Sequence, residues 1–183
     1  LLGWQDFGPS LWDIRTSPVA TLPDGTRQGV CITPDGSIYV LSFLRRCTPA
    51  GCADLPTATD APGYNLLAVY GISNDGRVMS GHANSPSKPA VLTLGQPAQV
   101  APSYTVLSTY NVVSGDGSTA YFPVSTGILR WRQGVWTLIP AALTVRTHLI
   151  GCSVDGSVVY LSELNSLRRY QEGVGLVAVE GLP

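Results

Sequence analysis

Lysine is almost missing from this 183-residue chain. Lys88 is the only one, and arginine supplies the other ten positive charges. Charged residues make up 13 % of the sequence, about half the usual share. The net charge is -1, which leaves no electrostatic footprint for nucleic acid or an anionic membrane surface. There are two histidines, His82 and His148, and one methionine, Met79. No apolar run approaches the length of a membrane span, so the segment reads as soluble. No stretch of helical length keeps a 3.6-residue period free of glycine and proline, so no helix is expected.

Catalytic constellations are also lacking. No Gly-x-Ser-x-Gly elbow occurs, and neither histidine sits in a readable Ser/His/Asp pattern. Both histidines read as strand-end residues. CxxC pairs with nearby histidines are absent, as are Asp-x-Asp-x-Asp-Gly loops, so the sequence predicts no metal and no cofactor. Glycosidases need two carboxylates in one cleft. The candidates Asp13, Glu163 and Glu172 fall on outer or loop positions. The sequence is therefore expected to have no enzymatic activity.

One short phrase is present in four copies: an apolar run, Asp-Gly, then a second apolar run. The aspartates are Asp35, Asp75, Asp116 and Asp155, at steps of 40, 41 and 39 residues. A fixed period in this range marks a repeat architecture. Asp-Gly between apolar runs is a strong hairpin signal, and it predicts a type I′ turn with positive φ at both central residues. The four carboxylates read as turn residues rather than as a ligand ring.

Downstream of each turn comes a third strand, a glycine-bearing turn and a fourth strand ending at or near proline. Gly127–Pro140 and Ser166–Val179 show this most clearly. Four short antiparallel strands in about 40 residues is the size of a propeller blade. Such a sheet cannot bury both faces alone, but radial stacking buries them. The expected fold is thus an all-β propeller. Four full blades occupy about 27–63, 64–104, 105–143 and 144–183, and a partial blade of third and fourth strands covers 1–26. Gly71, Gly115 and Gly151 suit a crowded centre. The partial blade lacks its Asp-Gly hairpin, so a missing segment or a partner chain is expected to complete the sheet. The start at Leu1 and the lone Met79 predict a processed product or part of a longer chain, and the first residues do not read as a leader.

The first block is irregular. Residues 45–63 are rich in proline, alanine and threonine and lack alternation. They form either a long loop or a poor hairpin. Cys47 and Cys52 lie here, five residues apart, and can close a small disulfide ring or remain thiols. Cys31 and Cys152 sit within strands as small core residues.

Aromatics recur on the outer strands: Trp4, Trp12, Tyr104, Trp131, Trp136 and Tyr170. Arg130, Arg132, Arg168 and Arg169 alternate with them. Trp12, Arg130, Trp131, Trp136, Arg168 and Tyr170 are the candidate ligand-binding residues, because aromatics beside arginine stack on sugars or build protein-binding surfaces. The same residues can instead fill the widening wedge between blades, with arginines lying over the rings.

Ser153-Val154-Asp155-Gly156-Ser157-Val158-Val159, Ser73-Asn74-Asp75-Gly76-Arg77-Val78 and Ile128-Leu129-Arg130-Trp131-Arg132 together resemble the extracellular HAF repeat. That resemblance implies a bacterial secreted or cell-surface protein, in some cases an autotransporter passenger. It covers most of the chain and is weak in the first block. The Asp-box of sialidases does not fit, since it sets its glycine two residues after the aspartate and follows it with Thr-Trp. The expected role is a non-catalytic binding or structural module, or a lectin-like propeller with sites between blades. The expected partner is a protein, a glycan or copies of the chain itself.

Overall fold

The computed structural model describes residues 2–5, 8–13, 16–21, 29–41, 44–84, 87–108, 110–163 and 166–179, with side chains described from residue 31 onward except at 41. An N-terminal sheet is formed by β1 (Leu2–Gln5), β2 (Gly8–Asp13) and β3 (Thr16–Thr21). Four four-stranded sheets follow. The first holds β4 (Gly29–Ile32), β5 (Tyr39–Leu41), β6 (Arg45–Thr48) and β7 (Gly51–Asp54). The second holds β8 (Leu66–Ile72), β9 (Val78–Ala83), β10 (Lys88–Thr93) and β11 (Gln99–Val100). The third holds β12 (Val112–Val113), β13 (Thr119–Val124), β14 (Gly127–Arg132) and β15 (Val135–Pro140). The fourth holds β16 (Thr147–Cys152), β17 (Val158–Glu163), β18 (Ser166–Gln171) and β19 (Gly175–Ala178).

Every sheet is an antiparallel meander in chain order. The first strands of successive sheets lie side by side: β4 by β8, β8 by β12, β12 by β16. Hydrophobic residues are buried between neighbouring sheets rather than within one. Val40 and Leu44 meet Leu66, Met79 and Leu92 between blades one and two. Val91 and Ala101 meet Phe122, Leu129 and Trp131 between two and three. Tyr121 and Ile128 meet Leu149, Val159 and Leu161 between three and four. Each such side chain contributes about 2 kcal/mol by leaving water. The arrangement is a β-propeller.

The aspartates stand at chain reversals, but not in type I′ turns. Gly36, Gly76, Gly117 and Gly156 have φ of 66–73°. Among the described residues the only non-glycine positive φ values are at Leu44, Asn84 and Gln133, so the aspartates lie at negative φ. In each turn the glycine N–H donates to the carbonyl three residues back, on Thr33, Ser73, Ser114 or Ser153, at 2.9–3.0 Å. That bond with negative φ at both central residues is a type I geometry, followed by a left-handed glycine.

The aspartate earns its place by its side chain. Its carboxylate accepts from the Ser or Thr hydroxyl two residues earlier at 2.6–2.7 Å. It also accepts from the N–H two residues later at 2.8–3.0 Å. The same hydroxyl accepts from the N–H five residues on, at 2.9–3.1 Å. Thr33, Ser73 and Ser114 are fully buried, so their hydroxyls need these partners.

The first block resolves as the hairpin. β6 and β7 pair with Cys47 opposite Cys52, and the two are disulfide-bonded across the ladder with Cα atoms 4.0 Å apart. In blade three the same cross-strand place is held by Trp131 opposite Trp136, and in blade four by Tyr170 opposite Leu176. The disulfide therefore clamps an outer hairpin too short and too polar for an aromatic pair. The stretch after Asp54 runs beside the outermost strand of blade two. Asp60 N–H donates to Ala98 O, and Ala98 N–H donates to Ala58 O, each at 2.9 Å. This covers a sheet edge that would otherwise be open.

The N-terminal sheet has one more strand than the two expected, because Leu2–Gln5 pairs antiparallel with Gly8–Asp13. The glycines of the centre are not alike. A Cβ at Gly71 would meet Val113 N at 3.3 Å, whereas one at Gly151 would meet nothing within 4 Å. Gly151 instead follows a bulge in β16, at Ile150.

Candidate functional site

The meander puts the first-to-second and third-to-fourth turns of each blade at one end. Backbone bonds join these turns. Leu94 N–H donates to Arg77 O, Gln133 N–H to Ser118 O and Glu172 N–H to Ser157 O, at 2.9, 3.2 and 3.1 Å. Bonds also run from blade to blade: Asn74 N–H to Gly115 O and Asp116 N–H to Val154 O, both at 2.9 Å. The result is a continuous turn face.

Arginines and aromatics on this side form ties between blades. Tyr121 Oη donates to Gly156 O, the glycine carbonyl of the next blade's Asp-Gly turn. Arg46 Nε donates to the matching carbonyl, Gly76 O, at 3.3 Å. Arg130 and Arg132 each reach one oxygen of Glu172 at 2.8 Å. The guanidinium N–H hydrogen bonds from Arg130 and then Arg132 hold the Glu172 carboxyl below its ordinary range. Trp131 Nε1 donates to Gln99 Oε1 of the preceding blade at 2.6 Å, and its ring is 5 % exposed. Trp136 is tilted against Phe122 with ring centres 5.6 Å apart.

Of the six candidate binding residues, Arg130, Trp131 and Trp136 thus gather around blade three and its neighbours. Arg168 lies 3.5 Å from Glu163. Tyr170 packs partly buried against the core between blades three and four. Trp12 lies in β2, and its side chain, like those of Trp4 and Asp13, is outside the described residues. Tyr104 packs against the core between blades two and three.

Asp35 and Asp155 are pulled down to about 2, first by the Thr33 and Ser153 hydroxyls and then by the N–H of Ser37 and Ser157. The Ser114 hydroxyl and Ser118 N–H pull Asp116 down too, while the charge of Asp155 pushes the other way. Among the described residues no group of three or more His, Cys, Asp or Glu could hold a metal ion. Burial pushes the Cys31 and Cys152 thiols up to about 12, which keeps them protonated and inert.

The opposite end carries two tyrosine–histidine ring pairs that the sequence did not disclose. Tyr70 stacks on His82 at 5.3 Å, and Tyr110 meets His148 edge-on at 4.2 Å. The Nδ1 atoms of both histidines are shielded and have no hydrogen-bond partner among the described residues. Burial pushes His82 below its ordinary value, favouring the neutral ring. Glu163 is at this end too, held low by the Thr144 and Thr147 hydroxyls and Arg168. Glu163 and Glu172 are therefore at opposite ends of blade four. The five residue steps from Val158 to Glu163 in β17 span about 17 Å, too far for a paired-carboxylate hydrolysis.

Exposed apolar side chains stand at both ends: Leu67, Tyr110 and Val145 at the end away from the Asp-Gly turns, and three valines on the turn face. Val135, Val154 and Val174 are 64 %, 64 % and 59 % exposed. Each sits in, or next to, a turn of blade three or four. Among the described residues no helix is long and apolar enough to cross a membrane.

The sequence matches no family model and no curated protein. The fold is similar to solved structures. A streptogramin B lyase superposes with a TM-score of 0.54 at 13 % identity, over 100 % of this chain and 68 % of the lyase. A candidate TolB from Agrobacterium tumefaciens superposes with a TM-score of 0.50 at 17 % identity, over 82 % of this chain. The chain spans 60 % of that protein's length. At such identities the likeness concerns the fold alone: this chain is a β-propeller module.

Proposed function

We propose that the chain is a non-catalytic binding and structural module of a secreted or cell-surface protein, and that it takes a protein partner on its turn face. The observation that carries this reading is the grouping of Val135, Val154 and Val174 at one end of adjacent blades. Apolar side chains are exposed at the other end too, but these three ride on turns bonded to one another and so form one surface for a partner. The surface is preorganised, because backbone bonds and the Arg130–Glu172–Arg132 bridge fix the turns beneath it. Little ordering entropy is then lost on binding. The Cys47–Cys52 bond supports an oxidising compartment.

The test uses an array of extracellular proteins beside a broad glycan array, probed with the chain and with a Val154→Asp/Val174→Asp variant. Both positions are exposed, so the variant should melt within a few degrees of the parent. The expected result is protein binding that the variant loses at least tenfold, with silence on glycans. Glycan binding abolished by Trp136→Ala in a folded protein would replace this reading with the lectin-like one.

A further inference from the structure

The joint between blades three and four is built from three contacts, the first of which recurs at all three described joints and the second at two of them. First, the side chain at the start of the second strand fills the space left by the next blade's Asp-Gly glycine. A Cβ on Gly76 would fall 2.6 Å from Ile38, one on Gly117 2.9 Å from Val78, and one on Gly156 2.5 Å from Thr119. Second, a donor on the second or third strand reaches that glycine's carbonyl, as Arg46 does to Gly76 and Tyr121 to Gly156. Third, between blades three and four, Arg130 takes a carboxylate from the next blade's outer turn, Glu172.

Blade four carries the donor half of this joint, and no side chain among the described residues fills it. By register, Val158 is the equivalent of Thr119, Tyr160 of Tyr121 and Arg169 of Arg130; Tyr160 faces Arg169 across the ladder as Tyr121 faces Arg130. The residue at the Tyr160 position is fully buried in the other three blades, as Val40, Ser80 and Tyr121. Tyr160 is 37 % exposed. Arg169 is exposed as well, and neither side chain has a hydrogen bond or ion pair among the described residues.

We infer that the Val158–Tyr160–Arg169 face of blade four is an interblade joint whose occupant is a further blade of this same repeat type. That blade presents an Asp-Gly turn whose glycine carbonyl accepts from Tyr160 Oη. It also carries a carboxylate on its outer turn to pair with Arg169. The face does not suit a second copy of itself, since that would set Arg169 against Arg169. It repeats the tyrosine and the first arginine of the surface that blade three buries against blade four, with Gln171 in place of Arg132, so the partner's chemistry is read from an interface on the same molecule.

The experiment compares the 183-residue chain with one extended by a second copy of residues 144–178, which supplies its own Gly156 carbonyl and Glu172. Tyrosine nitration by tetranitromethane is followed peptide by peptide. In the parent, Tyr160 should react as an exposed tyrosine. In the extended chain, the first-copy Tyr160 should be protected at least tenfold, while the second-copy Tyr160 stays reactive. Changing Glu172→Arg in the appended copy should reverse most of that protection. Equal reactivity of the two copies overturns the proposal. So does an appended repeat left unprotected in hydrogen exchange, because a complete joint would order it. Protection of Tyr160 already present in the parent overturns it too. A dimer in sedimentation would then assign the face to a second copy, and a monomer to the chain's own N-terminal sheet.

Discussion

The serine or threonine two residues before each aspartate does three jobs with one hydroxyl and one carbonyl. It donates to the carboxylate, accepts from the returning strand and closes the turn. This network couples the turns to acidity. The folded pKa of Asp35 and Asp155 is about 2 against an ordinary 3.8. A depressed carboxylate stabilises the fold above its unfolded pKa and loses that contribution as pH falls through the folded value. The thermal midpoint should therefore hold steady down to pH near 4 and fall between pH 4 and 2. Ser153→Ala should raise the Asp155 pKa toward the ordinary value, seen by carboxyl NMR titration. An unchanged Asp155 titration would refute the hydroxyl's part. The sequence showed the reversals but not their geometry, because the pattern Asp-Gly is shared by two turn types. What separates them here is the buried hydroxyl, whose partners become visible only once the strands are paired.

At the level of strands, the outer hairpins solve one problem with different materials. Trp131–Trp136 and Tyr170–Leu176 bring side-chain bulk to a cross-strand pair, and Cys47–Cys52 brings a covalent bond. β6 and β7 have four residues each, and little of either is buried. Closing a loop this short removes about 2 kcal/mol of unfolded-chain entropy in the loop-closure account. Reduction, or Cys47→Ser with Cys52→Ser, should lower unfolding free energy by about that much. Hydrogen exchange should speed up in β6 and β7 and much less in blade three. The cysteine spacing pointed to the bond. The strands themselves were hard to read, because a four-residue strand holds too few side chains for alternation to stand out. The same brevity hid Leu2–Gln5.

Over the whole molecule, stability resides in the joints. The Arg130, Trp131 and Trp136 set was legible as outer-strand residues beside a turn. Their partners Glu172, Gln99 and Phe122 were not, because those contacts depend on how sheets stack and leave no periodic trace. Tyr121→Phe removes one buried hydroxyl and leaves Gly156 O without its donor. The expected cost is about 1–3 kcal/mol, measured by denaturant unfolding. Exchange should rise together in β13 and in the Asp155-Gly156 turn. A loss confined to β13 would mean that the two blades open independently.

The acceptor in these ties is a main-chain carbonyl at a glycine, an atom every copy of the unit possesses whatever its side chains. A gene segment encoding one unit can thus be duplicated or deleted without inventing a new fitting for it. Diversification of the faces and conservation of the seams are then separate matters, free to proceed at different rates.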